Sequence, residues 1–355
     1  LYARDPSLRT ARLMLEGAFA FAPLLRRWTG LEARDTVFST PFFYAVHEGT
    51  MSSPDELRAH YARCTALFDD AIGAGAEPYL GVDRAMAVEE VGRDELASLV
   101  EPSHFVTAFR TTERAVDPRV VAARVREAVL AEPRIRFVGS ARVTGVALRG
   151  RGGIDVSFTK DGAPHVERYD QVANALWHGR LEVDRTAGLA PSLTWSHRYK
   201  FANRVFVPLR DEDLPSVTCV LGPFGDVVNY GGNGLFLSWY PEGMVGSSTE
   251  VLPPDWESLL SPEDRRRVFR RSLEAWLRRC PRLRELRFEE KDVDPGGGII
   301  FAWGDTDVDD PASKLHDRYE PGVVSTGGYH SVNTGKYTLS PLMGLRTAER
   351  VLGLS

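Results

Sequence analysis

Four stretches of the 355-residue chain combine residue types that could do chemistry. The first is GGYHSVNTGKYTLSP, from Gly327 to Pro341, whose centre Gly335-Lys336-Tyr337-Thr338 is shaped like the end of a phosphate-binding loop. In G-x-x-x-x-G-K-[ST] the glycines let backbone N–H groups wrap a triphosphate while the Lys and hydroxyl reach phosphate and magnesium. Here the first glycine position is His330, and Tyr337 follows the Lys. A P-loop also runs from a strand directly into a helix, whereas Pro341 interrupts and only Leu342 to Leu352 remain. The pattern does not support nucleoside-triphosphate chemistry. It leaves a glycine turn entering a closing helix, whose free N–H groups can meet an anion.

The second stretch, His197-Arg198-Tyr199-Lys200, alternates as a strand does, which puts Arg198 and Lys200 on one face and His197 and Tyr199 on the other. A cationic pair on one face suits a substrate carboxylate, and two solvent-facing charges read the same way. The third, Asp305 to Asp310, opens like an EF-hand. Its sixth position is Asp310 instead of Gly and its twelfth is His316 instead of Glu, so a solvated loop with Asp305 or Asp307 bonding backbone amides is expected and no metal. The fourth is the arginine-rich run from Glu263 to Cys280. Its apolar face (Phe269, Leu273, Trp276, Leu277) makes it an ordinary amphipathic helix with a solvated arginine face. There is no H-E-x-x-H and no G-x-S-x-G, so zinc- and serine-hydrolase chemistry lack their usual signatures.

These residues need elements to position them. Leu8 to Trp28 has helical spacing with Ser7 as N-cap. Thr36 to His47 reads as a strand, and Ser53-Pro54-Asp55-Glu56 has capping-box order for a helix towards Ile72. Asp117-Pro118 starts a helix through Ala131 that ends before Pro133. Then the period becomes alternating: Arg134 to Val138, Ala141 to Leu148, Ile154 to Thr159 and Val166 to Val172 form a meander, with a hairpin turn at Asp161-Gly162. Strands follow around Tyr199 to Leu209, Val217 to Leu221, Leu235 to Tyr240 and Ile299 to Trp303, and Ser261-Pro262 caps a helix through Arg279.

Composition sets the outer limits. With 43% hydrophobic residues the chain can build a core, and a formal charge of −5 gives no basic field for nucleic acid or anionic lipid. Cys64, Cys219 and Cys280 are widely spaced, which fits a reducing cytoplasm. The longest early apolar stretch, Gly17 to Leu25, is too short to span a membrane.

In this order the elements resemble the FAD-dependent oxidoreductases of the D-amino-acid oxidase type. That family follows its meander with a strand ending in a V-N-A-x-G-like sequence, to which Val172-Ala173-Asn174-Ala175-Leu176-Trp177 is similar. Its C-terminal signature, approximately G-x-N-G-x-T-x-A-P, resembles Val332 to Pro341. The resemblance implies an α/β (mixed α+β) fold. A Rossmann-like FAD-binding domain, built from 1–35, 111–191 and 295–355, would carry an inserted antiparallel-sheet substrate domain from 36–110 and 192–294. It implies FAD as cofactor, with Gly335, Lys336, Tyr337 and Thr338 against the flavin, Val143 at the adenine end, and Asn174 and Ala175 beside the pyrophosphate.

The activity implied is hydride transfer from a C–N or C–O bond of a small polar substrate. Arg198, Tyr240 and Tyr44 are the expected substrate contacts and His178 a polar group near the cofactor. The alternative is a protein of the same fold that acts as an interaction module and binds no flavin. The family opens on a β-α-β unit with G-x-G-x-x-G and an acidic residue about twenty positions on, and this sequence has neither. We therefore expect a fragment that binds FAD weakly or not at all and tends to aggregate.

Overall fold

The computed structural model describes residues 5–32, 37–38, 42–76, 88–210, 212–318 and 320–354, with the side chains of Val37, Phe38 and Arg151 left aside. Thr36, at the start of the first expected strand, lies outside these residues.

The first helix is Arg9–Thr29. Its apolar face (Phe21, Leu24, Leu25) is buried. Asp5 and Ser7 share the opening N–H groups: Asp5 accepts from Ser7 N at 2.9 Å and Thr10 N at 2.7 Å, and Ser7 Oγ accepts from Arg9 N at 3.3 Å. A carboxylate there also complements the positive end of the helix. This helix packs on the closing helix Ser340–Leu352, where Leu13, Met14 and Ala20 meet Leu339, Leu342 and Met343. Contact is tightest at Gly17, where an added Cβ would lie 2.2 Å from Leu339 Cδ2. The helices Pro54–Gly73 and Pro262–Arg279 both begin with the capping boxes read from the sequence, at Ser53 and Ser261. Helix Pro118–Ala131 is capped by Asp117.

The largest sheet has eight strands in the order 293–294, 203–205, 235–239, 225–229, 216–219, 42–47, 105–111 and 88–90. All neighbours are antiparallel except Ser216–Cys219 and Phe42–His47, which run parallel. That one junction joins strands far apart in sequence into a single surface. Helix Pro262–Arg279 covers one face: Trp276 is fully buried and donates its indole N–H to Ser238 O at 2.7 Å. The arginine face of this helix is turned outward and paired, Arg266 and Arg270 with Glu263 and Arg267 with Asp264.

Two expectations change. The single strand expected over Tyr199 to Leu209 is two strands, Trp195–Phe201 and Asn203–Val205, in different sheets. The chain steps across at Ala202, whose N–H bonds Gly296 O at 2.8 Å. The meander has three strands, Ala141–Leu148, Ile154–Lys160 and Ala163–Tyr169, around an Asp161-Gly162 turn in which both residues have positive φ. Arg134 to Val138 is a loop, because Pro133 and a tight Glu132–Ile135 turn carry it away from the sheet edge. Val172–Asn174 runs parallel to Tyr329–Asn333, which pairs antiparallel with Gly322–Thr326. No helix among the described residues is long and apolar enough to cross a membrane.

Candidate active site

The glycine turn is built as a helix entrance. Gly335 sits at φ +63, a left-handed conformation that glycine adopts without penalty. Its N–H bonds Asn333 Oδ1 at 3.1 Å, and Lys336 N–H bonds Thr334 O at 2.6 Å. A short 3-10 turn, Tyr337–Leu339, then enters the closing helix. Among the described residues the N–H groups of Tyr337 and Thr338 make no hydrogen bond, as the first groups of a helix must. They add to the positive end of a 13-residue helix. A Cβ on Gly335 would come within 2.3 Å of Pro321 Cγ, so the residue is fixed by the packing of the protein as well as by its φ.

Two adjoining cavities, of about 390 and 460 Å³, lie between this turn and the large sheet. Gly335 and Tyr337 line the first, Thr338 the second and Lys336 both. The opposite wall is formed by side chains from the sheets. Arg198 and Lys200 both reach the first cavity while His197 and Tyr199 are buried behind them, as alternation requires. Arg198 Nη1 donates to Tyr240 OH at 3.2 Å and pairs with Asp307 Oδ1 at 3.3 Å, and Tyr240 OH donates to the same oxygen at 2.5 Å. Burial, followed by the Asp307 bond, pushes the Tyr240 phenol up to about 12. Asp307 also accepts from Val308 N–H, so the acidic run is a bonded loop as the sequence implied. Tyr44 lines the second cavity and donates to Glu113 Oε2 at 2.5 Å; burial first, and Glu113 second, raise its pKa well above the usual tyrosine value.

The sequence reading missed the centre of the cleft. Asp226 lines both cavities and is held by Thr218 Oγ1 at 2.8 Å, Ser238 Oγ at 3.2 Å and Lys200 Nζ at 3.7 Å. Arg318 also borders both, and Glu113 the second. Only tertiary contact identifies these residues; the one local signal is the charged Asp226 inside the short strand Gly225–Asn229. His178 is exposed and lines neither cavity. Its neighbour Trp177 does, with its indole N–H on Ile299 O at 2.7 Å.

Val143, Asn174 and Ala175 lie away from the cleft. Val143 packs partly buried in the meander core. The Asn174 amide is committed inside the protein, donating to Arg180 O, Asp184 Oδ1 and Tyr329 OH at 2.7–3.0 Å. Its side chain is therefore not free for a ligand.

The residues present fit the flavin end of FAD. Two unbonded N–H groups on a positive helix end suit the electron-rich carbonyl edge of the ring, and the cleft beside them is open. At the expected diphosphate end, beside Asn174 and Ala175, strand Val172–Asn174 does not pass through a glycine turn directly into a long helix. Gly179 lies in a 3-10 turn before the seven-residue helix Arg180–Thr186.

No protein-family model matches the sequence, and no curated protein is similar to it. Solved structures are. Glycine oxidase from Geobacillus kaustophilus superposes with a TM-score of 0.59 at 16% identity, over 97% of this chain and 78% of that one. L-amino acid deaminase from Proteus vulgaris gives 0.62 at 13%, over 100% and 83%. L-proline dehydrogenase from P. horikoshii gives 0.55 at 15%, over 97% and 78%. At these identities the likeness concerns architecture, and in architecture the chain has the fold of the FAD-dependent oxidoreductases of the D-amino-acid oxidase type.

Proposed function

We propose that this chain works as a FAD-dependent oxidoreductase that takes a hydride from the nitrogen-bearing carbon of a small polar amine, oxidising its C–N bond, with amino acids as the substrate class. The observation that carries the reading is the cleft itself: a helix entrance with unbonded N–H groups faces a sheet wall of Arg198, Lys200, Asp226, Tyr240 and Tyr44 across open space. The named substrates of the structural relatives (glycine, L-proline, L-amino acids) favour C–N over C–O. FAD, when bound, supplies the hydride acceptor.

The chain's residues then have separable tasks. Tyr337 and Thr338 hold the ring edge through their backbone, Gly335 shapes that turn, and Val143, Asn174 and Ala175 meet the adenine and pyrophosphate through main-chain atoms. The sheet wall orients the substrate, and the apolar packing of Phe224, Phe301 and Trp303 around the first cavity keeps competing water out. In this reading the large sheet, drawn from 36–110 and 192–294, is the substrate domain. The test is anaerobic mixing of FAD-saturated protein with amino acids and with the matching hydroxy acids. Loss of the oxidised-flavin absorbance with an amino acid but no hydroxy acid is expected; reduction by hydroxy acids alone, or by neither, contradicts the reading.

A further inference from the structure

Lys336 differs from every other cation on the cleft wall whose contacts are described above. Arg198 is engaged by Asp307 and Tyr240, and Lys200 by Asp226. Among the described residues the Lys336 amine makes no hydrogen bond and no ion pair. It lies where the two cavities meet, one residue from the unbonded N–H groups of the turn, and opens to the cleft.

Its surroundings set its charge. Arg318, from the loop after Lys314–His316, and Lys200, from strand Trp195–Phe201, both face it. They are countered by Asp226 of strand Gly225–Asn229 and by Glu113, from the segment before Ala115–Val116. The guanidinium of Arg318 is the largest influence and enclosure by protein the second, and together they hold the Lys336 ammonium down to about 7. An ordinary lysine titrates near 10.4. Near neutral pH a large share of Lys336 is therefore the free amine, with its lone pair in the cleft.

We propose that Lys336 is the proton acceptor that prepares the substrate, taking one proton from the substrate's ammonium group before the C–N bond is oxidised. This rests on the proposed amine-oxidoreductase function. An amino acid in water carries –NH₃⁺, and a nitrogen without a lone pair cannot assist departure of the hydride from its neighbouring carbon. In the transfer, one N–H bond of the substrate breaks and one N–H bond forms on Lys336 Nζ. The substrate becomes a neutral amine and Lys336 an ammonium, with no change in total charge. The substrate itself drives the step. Its carboxylate, arriving beside Arg318 and Lys200, offsets the positive field that kept Lys336 neutral, so Lys336 becomes more basic when there is a proton to take. Lys336 later returns the proton to cleft water.

The experiment begins with the protein free of FAD. Reductive ¹³C-methylation marks the five lysines of the chain (Lys160, Lys200, Lys291, Lys314 and Lys336), with the Lys336 signal assigned by its loss in Lys336→Met. An inflection near pH 7, moving up by a unit or more in Arg318→Met, is expected. Titration of Lys336 alongside the other lysines overturns the proposal, whatever the protein does with FAD.

The second arm uses FAD-loaded protein. Lys336→Arg keeps a cation and its packing but cannot accept a proton at these pH values. It should retain substrate KM within a few-fold and lose roughly 10²–10⁴-fold in kcat, and Lys336→Met should recover turnover with added small amines. Full kcat in Lys336→Arg would make the residue a carboxylate anchor and overturn the proposal. Failure of the unsubstituted protein to bind FAD would instead overturn the functional reading beneath it.

Discussion

Arg198 illustrates how a residue read correctly by position can still have its chemistry changed by its neighbours. It faces the cleft as expected, yet its Nη1 is engaged by Tyr240 and Asp307. Removing it should therefore cost stability before it costs binding. Arg198→Ala is expected to lower the urea-derived unfolding free energy by about 1.5–3 kcal/mol, the range for hydrogen bonds to charged groups, while FAD affinity stays within two-fold. An unchanged unfolding curve would contradict a structural role and leave the guanidinium with its place in the substrate wall alone. Gly335 carries a similar lesson: because an added side chain meets Pro321 first, Gly335→Val should lower the melting temperature as well as flavin retention. A third residue governs acid stability. His197 is fully buried against Phe301, and burial is the main cause that brings its pKa from 6.5 to about 4. The folded state thus binds this proton less readily than the unfolded state, so the contribution is complete above about pH 6.5 and declines as pH falls through 4. His47 and His330 shift in the same direction, each mainly by burial. Urea midpoints should fall between pH 7 and pH 4.5, and His197→Phe should flatten the slope; an equal slope in the variant would assign the acid sensitivity elsewhere.

At the scale of elements, the joint between helix Pro118–Ala131 and the large sheet has the sharpest energetic consequence. Asp117 caps that helix and also pairs with Arg204 of strand Asn203–Val205 at 2.9 Å, with both side chains buried. Asp117→Ala removes the cap and leaves a buried guanidinium unpaired, which should cost about 3–5 kcal/mol, measurable as a lowered urea midpoint. A loss under 1 kcal/mol would mean that water reaches Arg204. The elements themselves were legible wherever the signal was local. The Ser53 and Ser261 boxes, the Asp117-Pro118 start, the Asp161-Gly162 hairpin and the alternation of 197–200 are each decided by residues within a turn or two. Signals that depend on a distant partner were not. Nothing local to Ala202 announces that the chain changes sheets there. The alternating run of Arg134 to Val138 has strand composition but no edge to pair with once Pro133 has turned the chain.

Across the whole molecule, the cleft exists because one parallel junction, Ser216–Cys219 beside Phe42–His47, assembles a wall from two remote parts of the sequence opposite the C-terminal turn. The order of elements was enough to suggest the architecture, and the stretch Gly327 to Pro341 was enough to mark a turn that borders the cleft. The wall was only half legible. Arg198, Tyr240 and Tyr44 were anticipated from residue type, but Asp226, Arg318 and Glu113 enter by tertiary packing that no spacing encodes. The claim on which the functional reading stands is that the turn holds flavin by its backbone, and one pair of variants isolates it. Lys336 has extended geometry (φ −133, ψ 147), the conformation a following proline requires, and Tyr337 opens the 3-10 turn, where proline is tolerated. Tyr337→Pro thus deletes one unbonded N–H of the turn, and Tyr337→Ala controls for the lost side chain and its bond to Pro118 O. FAD titration followed by quenching of flavin fluorescence should give a Kd about ten-fold weaker for Tyr337→Pro than for Tyr337→Ala at equal melting temperature, one hydrogen bond's worth. Equal affinities in the two variants would contradict a flavin held at this turn.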